Sequence, residues 1–225
     1  MSSSSRLRVF DSSVGTKLLI AATGLFLVLY LIVHIAGNLM VFGGKAFFNR
    51  YAGTLESNPL IPLIELLLLA VFVGHIYKTV RMALANRAAR PVAYVQKKSA
   101  GRTSRKTLAS TTMILSGIWL LAFVVIHVKA FKYGAHYETP DGMADLYRIE
   151  MENFRNPLVV LFYVLSMVIV GSHVFHGASS AFQSLGVSHP RWTPRFLLMG
   201  KVLGVGIAGG FIVIALWAQL TGGAQ

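Results

Sequence analysis

The chain has 225 residues, of which 55% are hydrophobic and 13% are charged, and its mean hydropathy is +0.63. A soluble domain carries about a quarter charged residues, so this composition excludes an ordinary soluble globule and indicates a polytopic membrane protein. The net charge of +13 does not indicate nucleic acid as a partner, because the basic residues flank apolar segments. The absence of cysteine excludes disulfides and every iron–sulfur or zinc site that needs a cysteine ligand.

Five apolar segments are long enough to cross a bilayer, whose hydrocarbon layer of about 30 Å requires about 20 helical residues. They predict an all-α membrane protein with one domain, residues 1–225, embedded in the lipid bilayer. The predicted spans are residues 17–42, 60–83, 108–131, 157–182 and 196–220. No internal repeat is recognised, and the connections between spans are too short for a soluble domain.

The basic residues predict the orientation of the spans. Of the 21 Lys and Arg residues, 15 fall on one side of the predicted membrane. The positive-inside rule therefore predicts a cytoplasmic amino terminus and a carboxy terminus on the outer side. The amino-terminal segment lacks a small-residue cleavage site after a short apolar core, so we expect it to be retained.

Each of the first four spans contains a histidine within its apolar run, namely His34, His75, His127 and His176. At 1.5 Å per residue, His34 and His127 lie roughly 25–28 Å from the inner ends of their helices, near the outer face. The second and fourth spans run in the opposite direction, which places His75 and His176 near the inner face. The four histidines therefore form two pairs matched by depth.

Two imidazoles that face each other across a four-helix bundle leave room for one flat macrocycle, and haem iron accepts such axial ligands. The first four helices are thus predicted to form a dihaem bundle. His34 and His127 would hold an outer haem b, and His75 and His176 an inner one, roughly 15–20 Å away. With both axial positions filled by protein, the predicted role is electron transfer. A single membrane histidine is often only a hydrogen-bonding residue at a helix contact, so the prediction depends on the set of four.

Two further residues have alternative interpretations. His173 lies one turn before His176 and is either the true fourth ligand, a hydrogen-bond partner of a haem or quinone, or a packing residue. Glu65, ten residues before His75, is the only acidic residue within a predicted span. It is a candidate for proton transfer to a quinone near the outer haem, or a first-turn residue favoured by the helix dipole.

The fifth span has no histidine, and its small residues predict close packing beside the haem bundle. They are Gly200, Gly204, Gly206 and Gly210. The loop histidines His136 and His189 are predicted to be solvated.

Three segments carry a family resemblance: SSVGTK at 12–17, LIVHIAGN at 31–38 and HGASSAFQSLG at 176–186. They resemble the cytochrome b558 membrane-anchor subunit of succinate dehydrogenases and fumarate reductases, in its single-chain, five-helix, dihaem form. Length, helix count and histidine order extend the resemblance over nearly the whole chain. It implies axial ligands at His34, His75, His127 and His176, and it favours His176 over His173. Some members carry a glutamate two residues before the fourth ligand, where this chain has Val174.

The resemblance also implies a complex in the bacterial cytoplasmic membrane. A flavoprotein subunit would oxidise succinate, as in the tricarboxylic acid cycle, and an iron–sulfur subunit would pass the electrons on. This chain would anchor both subunits and carry electrons through two haem b groups to a respiratory-chain quinone, with menaquinone expected. The dicarboxylate chemistry would lie on the partner subunits.

Two other functions remain open at this point. The cytochrome b subunit of a hydrogenase or formate dehydrogenase would share the paired histidines but lack the SSVGTK and SAFQSLG motifs. A transporter that uses intramembrane histidines would place its ligands at one depth and contain more intramembrane carboxylates.

Overall fold

The computed structural model describes residues 12–89, 108–187 and 189–222, and these ranges form eight α-helices. The helices are α1 Ser13–Asn38, α2 Lys45–Glu56, α3 Ile61–Ala88, α4 Leu108–Thr111, α5 Met113–Phe131, α6 Leu146–Phe154, α7 Pro157–Ser184 and α8 Thr193–Thr221, with a 3-10 turn at Leu39–Gly43. Five of them (α1 with its 3-10 turn, α3, α5, α7 and α8) are long and apolar enough to cross a membrane. The prediction of five spans is therefore confirmed. Many of the basic residues behind the orientation prediction, at positions 6, 8 and 90–106, lie outside the described residues.

Two membrane helices begin near the same sequence, Asn-Pro-Leu. The Leu60 N–H donates to the side-chain oxygen of Asn58 at 3.0 Å, just before α3. The Leu158 N–H donates to the side-chain oxygen of Asn156 at 2.9 Å, at the start of α7. In both places the asparagine side chain satisfies a backbone donor that the first helical turn leaves free.

The closest helix packing joins α7 to α8 through glycine. A Cβ atom on Gly204 would lie only 2.5 Å from the Gly171 carbonyl oxygen, and one on Gly200 would lie 2.8 Å from that of Phe175. The predicted packing role is thus confirmed for Gly200 and Gly204, and for Gly210, where a Cβ would lie 2.9 Å from Ile35 Cγ1 of α1. A Cβ on Gly206 would meet nothing within 4 Å. Small residues let helix backbones approach in a membrane, where the lipid offers no hydrophobic drive for helix association.

The helix α3 forms a loosely packed wall of the bundle. It packs mainly against α1 and makes only slight contact with α5. Within the part of the chain that the structure describes, none of its residues is buried. Direct helix packing therefore does not close the interior between α3 and the helices α5 and α7.

A polar cap built from α2 and α6 lies at the end of the bundle where α1 finishes. Asn49 and Asp145 are only 1% and 2% exposed, and the Asn49 amide donates to the Asp145 carboxylate at 2.8 Å. Lys45 forms an ion pair with Asp145 at 2.8 Å, and the Tyr147 N–H donates to the Asn49 side-chain oxygen at 2.9 Å. Burial opposes ionisation of Asp145, but the hydrogen bonds from Lys45 and Asn49 outweigh it and lower its pKa.

The same cap contains a buried acid, Glu150, which is 4% exposed and whose pKa burial raises to about 8. An unfolded glutamate titrates at about 4.3, so between these values only the folded protein holds the proton. The effect of Glu150 is therefore that the free energy of unfolding is highest at low pH and falls as the pH rises toward about 8. We expect Glu150→Gln to remove this loss and to stabilise the protein by up to about 5 kcal/mol above pH 8.

Thermal unfolding of the detergent-solubilised chain between pH 5 and 9 measures the effect. Glu152→Gln, which removes an exposed carboxylate paired with Arg148, is the matched control on the same helix. An identical pH dependence in the wild type and Glu150→Gln would contradict the prediction.

Candidate functional site

Two of the predicted ligands meet in the bundle interior. The ring centres of His34 on α1 and His127 on α5 are 6.0 Å apart, and their planes cross at 83°. His34 stacks on Tyr30 with 5.4 Å between ring centres and also contacts Phe211 of α8. His127 stacks on Phe123 at 5.6 Å. We call the position of His34 and His127 the outer level.

Hydrogen bonds orient the outer-level rings only weakly. His127 Nδ1 lies 3.2 Å from the Tyr163 hydroxyl, and Tyr163 itself packs against Phe123 and Phe154. The Asn38 amide lies 3.4 Å from His34 Nδ1 but donates to the His34 carbonyl oxygen at 2.8 Å. A separation of 3.4 Å is long for a hydrogen bond, so aromatic stacking does most of the orienting at this level.

A second histidine position lies toward the start of α1. His75 Nδ1 on α3 is 3.0 Å from the Thr23 hydroxyl. That hydroxyl also donates to the Leu19 carbonyl oxygen at 2.7 Å and lies 3.2 Å from that of Ile20. With its proton on a backbone carbonyl, the hydroxyl accepts a hydrogen bond from the Nδ1–H of His75. A Cβ on Gly24 would lie 3.2 Å from His75 Cε1, so glycine at this position admits the ring.

His173 on α7 has the same arrangement with α5. Its Nδ1 lies 2.9 Å from the Ser116 hydroxyl, which donates to the Met113 carbonyl oxygen at 3.0 Å. His173 also lies close enough to His75 to interact with it electrostatically. We call the position of Thr23, His75, Ser116 and His173 the inner level.

His176, the ligand predicted from the sequence, lies one turn beyond His173 on α7. In the described ranges, His176 makes no hydrogen bond or aromatic contact comparable to those of the other four histidines. The structure therefore presents His173, rather than His176, to Ser116 and His75. The signal that sequence reasoning missed is the pair of hydroxyl residues, Thr23 and Ser116, on the opposing helices.

The two levels are separated by about 16 Å along the bundle. Thr23 and His34 are 11 positions apart on α1, and Ser116 and His127 are also 11 positions apart on α5. At 1.5 Å per residue, each interval spans about 16 Å. Two independent helices thus give the same spacing.

The geometry of the outer pair matches two axial ligands on one haem iron. A metal–nitrogen bond is about 2 Å long and a ring nitrogen lies about 1 Å from the ring centre, so such rings have centres about 6 Å apart. The observed separation is 6.0 Å. In the described ranges no cluster of three or more His, Cys, Asp or Glu residues could hold a metal ion. A haem iron would need only two protein ligands, which a pair of histidines could supply.

The Nε2 atoms of these rings are available for such a bond. Among the described residues, the side-chain contacts of His34, His127 and His173 all involve Nδ1. His75 contacts Thr23 through Nδ1 and also interacts with the Ile20 backbone carbonyl. The only side-chain nitrogen or oxygen in the described ranges that is both sealed from solvent and unpartnered is Gln219 Oε1. The Nε2 atoms of His34, His127 and His173 are therefore not sealed from solvent and have no hydrogen-bond partner among the described residues.

Comparisons of the chain with protein-family models, curated proteins and solved structures gave no match. The family resemblance thus stays a prediction from the quoted motifs. Function is inferred from those motifs together with the geometry of the two levels.

Glu65 lies at the outer rim of the bundle rather than in its interior. Its side chain is 49% exposed and forms an ion pair with Lys132, which follows the last residue of α5. It also lies close enough to Tyr30, the stacking partner of His34, to interact with it electrostatically. The position near Tyr30 and the outer level suits the predicted proton-transfer role. The first-turn prediction is wrong, because Glu65 lies in the second turn of α3, whose first turn contains no acidic residue.

Proposed function

We propose that this chain is the membrane-anchor, dihaem cytochrome b subunit of a succinate:quinone oxidoreductase. The observation that carries the proposal is the pair of facing imidazoles at the outer level, whose separation matches two ligands on one iron. His34 and His127 would hold the outer haem, and His75 with a histidine of α7 the inner one. When bound, the haems supply one-electron carriers at two depths of the membrane.

The residue that α7 contributes is a choice between two histidines. The family resemblance favours His176, whereas the contacts favour His173, because Ser116 fixes its ring and His75 lies nearby. We propose His173 as the ligand and place His176 one turn closer to the inner end of the helix.

The other side chains at the two levels support the ligands. Thr23 and Ser116 hold the inner rings, and Tyr30 and Phe123 stack on the outer ones.

The surface of the chain suits a lipid bilayer. The exposed apolar side chains of α3, such as Leu63 and Leu66, suit contact with a lipid bilayer. By the predicted orientation, the amino terminus lies in the cytoplasm of a bacterium and the inner level lies nearer the flavoprotein and iron–sulfur subunits. The electron acceptor would be a membrane quinone, with menaquinone expected.

Haem content and its reduction by substrate test the proposal. We expect the chain, purified with its partners, to contain two haem b per chain in a pyridine haemochrome assay, and succinate to reduce them. Reduction by formate or hydrogen instead would identify a different dehydrogenase. A well-folded preparation without haem would overturn the proposal.

Glu65→Gln tests the proposed role in proton transfer. General acid–base catalysis contributes about 100-fold or more, so we expect quinone turnover to fall by about that factor while both haems remain. Lys132→Gln is the matched control, because it breaks the same ion pair and keeps the carboxylate. Wild-type turnover in Glu65→Gln, or an equal loss in both variants, would leave Glu65 only the role of tying α3 to α5.

A further inference from the structure

The contacts at the two levels reveal that the first and third membrane helices are two copies of one pattern. Residues 23–34, TGLFLVLYLIVH, align without a gap to residues 116–127, SGIWLLAFVVIH. Both segments begin with a hydroxyl residue and glycine, carry aromatic residues at the fourth and eighth places, and end in histidine. In both, the histidine stacks on the aromatic residue one turn earlier, at 5.4 Å in α1 and 5.6 Å in α5.

The second and fourth membrane helices repeat in the same way. Asn-Pro-Leu occurs at 58–60 and at 156–158, and a histidine follows each asparagine by 17 positions, namely His75 and His173. The two asparagines make the same side-chain bond to the backbone, at 3.0 and 2.9 Å. The repeat therefore pairs α1–α3 with α5–α7 and makes His173 the counterpart of His75.

Within this repeat, one contact recurs between the two helices of each pair. The Thr23 hydroxyl lies 3.0 Å from His75 Nδ1, and the Ser116 hydroxyl lies 2.9 Å from His173 Nδ1. Each hydroxyl proton is already used in a bond to a backbone carbonyl, Leu19 at 2.7 Å and Met113 at 3.0 Å. With the hydroxyl proton on the backbone carbonyl, each hydroxyl oxygen accepts from the Nδ1–H of its histidine, which leaves the lone pair on Nε2.

We propose that Thr23 and Ser116 are matched positioning residues that fix the Nδ1–H tautomer of His75 and His173 and aim both Nε2 atoms at one shared iron. This inference rests on the proposed haem function. A hydrogen-bond acceptor behind a metal-bound imidazole fixes the ring and makes it a stronger ligand, and its loss costs about 10–100-fold in metal affinity. The outer level has no such hydroxyl pair among the described residues, so the effect belongs to the inner haem alone.

The test uses Thr23→Val and Ser116→Ala in the intact complex, which remove each hydroxyl with little change of volume. We expect the affinity for one of the two haems to fall about 10–100-fold, which is measured as haem lost during detergent washing. The remaining inner haem should show a higher midpoint potential and altered low-spin EPR g values, because a less basic ligand stabilises ferric iron less. The outer haem should be unchanged, and Thr23→Ser should restore the wild-type signals.

The matched control is Thr79→Val on α3, whose hydroxyl bonds only to backbone carbonyls, including that of His75 at 2.9 Å. Unchanged potentials and g values in both Thr23→Val and Ser116→Ala, or equal changes in Thr79→Val, would overturn the inference. So would loss of both haems from folded Ser116→Ala. A wild-type complex without haem would instead overturn the proposed function, so the two failures are distinguishable.

Discussion

Replacing His127 with alanine is expected to lower the haem content from two to one haem b per chain. His127 is one of the two imidazoles at the outer level, and Ala cannot bind iron. The inner level lies about 16 Å away along α1 and α5 and shares no histidine with the outer one. Effects at sites farther apart than about 10 Å are usually independent, so the second haem should remain.

The spectrum identifies which haem is lost. His34→Ala should give the same reduced-minus-oxidised spectrum as His127→Ala, because each variant removes half of the same pair. The double variant should lose no more haem than either single one. The haem content from a pyridine haemochrome assay and the low-spin EPR signals test both expectations.

Two exposed loop histidines serve as controls for the loss of an imidazole. His136, between α5 and α6, and His189, before α8, lie outside the membrane helices. His136→Ala and His189→Ala should keep two haems. Retention of both low-spin haems in folded His127→Ala would remove His127 as a ligand and with it the outer site.

The membrane helices could be predicted from the sequence because bilayer thickness imposes a length and a hydropathy that few other structures share. Three boundaries were displaced by four or five residues: α1 begins at Ser13 rather than 17, α3 ends at Ala88 rather than 83, and α5 begins at Met113 rather than 108. The Thr111 and Thr112 hydroxyls donate to the Leu108 carbonyl oxygen, at 2.8 and 2.9 Å. Such local bonds compete with regular helix and interrupt it without changing the hydropathy.

The outer pair of histidines also followed from sequence, because opposite helix directions convert position along the chain into depth. Depth alone cannot show which side of a helix faces the bundle interior. His173 and His176 are both near the inner end of α7, and only the contact from Ser116 on another helix distinguishes them.

Two further features depend on distant parts of the chain. The buried bond between Asn49 and Asp145 joins residues 96 positions apart, and no local pattern predicts such a partner. The repeat was missed because apolar helices resemble one another in composition. The equivalent contacts of Thr23 with His75 and of Ser116 with His173 distinguish the repeat.

Replacing His173 with alanine is expected to remove the inner haem, whereas His176→Ala should keep both haems. His173 has a fixed ring, a neighbouring His75 and a place in the repeat that matches His75. His176 instead corresponds to Lys78 of the first copy, because Lys78 follows His75 by three positions and His176 follows His173 by three. A residue at that place lies one turn past the ligand and about 4.5 Å farther along the helix axis.

The two variants form a matched pair, because they remove the same side chain from neighbouring turns of one helix. Haem content and the midpoint potential of each remaining haem should be measured on both. Loss of one haem in His176→Ala with both retained in His173→Ala would reverse the assignment and favour the ligand set implied by the family resemblance. That outcome would also free Ser116 from its positioning role while leaving Thr23 and His75 unaffected. The expected result keeps His75 and His173 at one level, as Thr23 and Ser116 already place them.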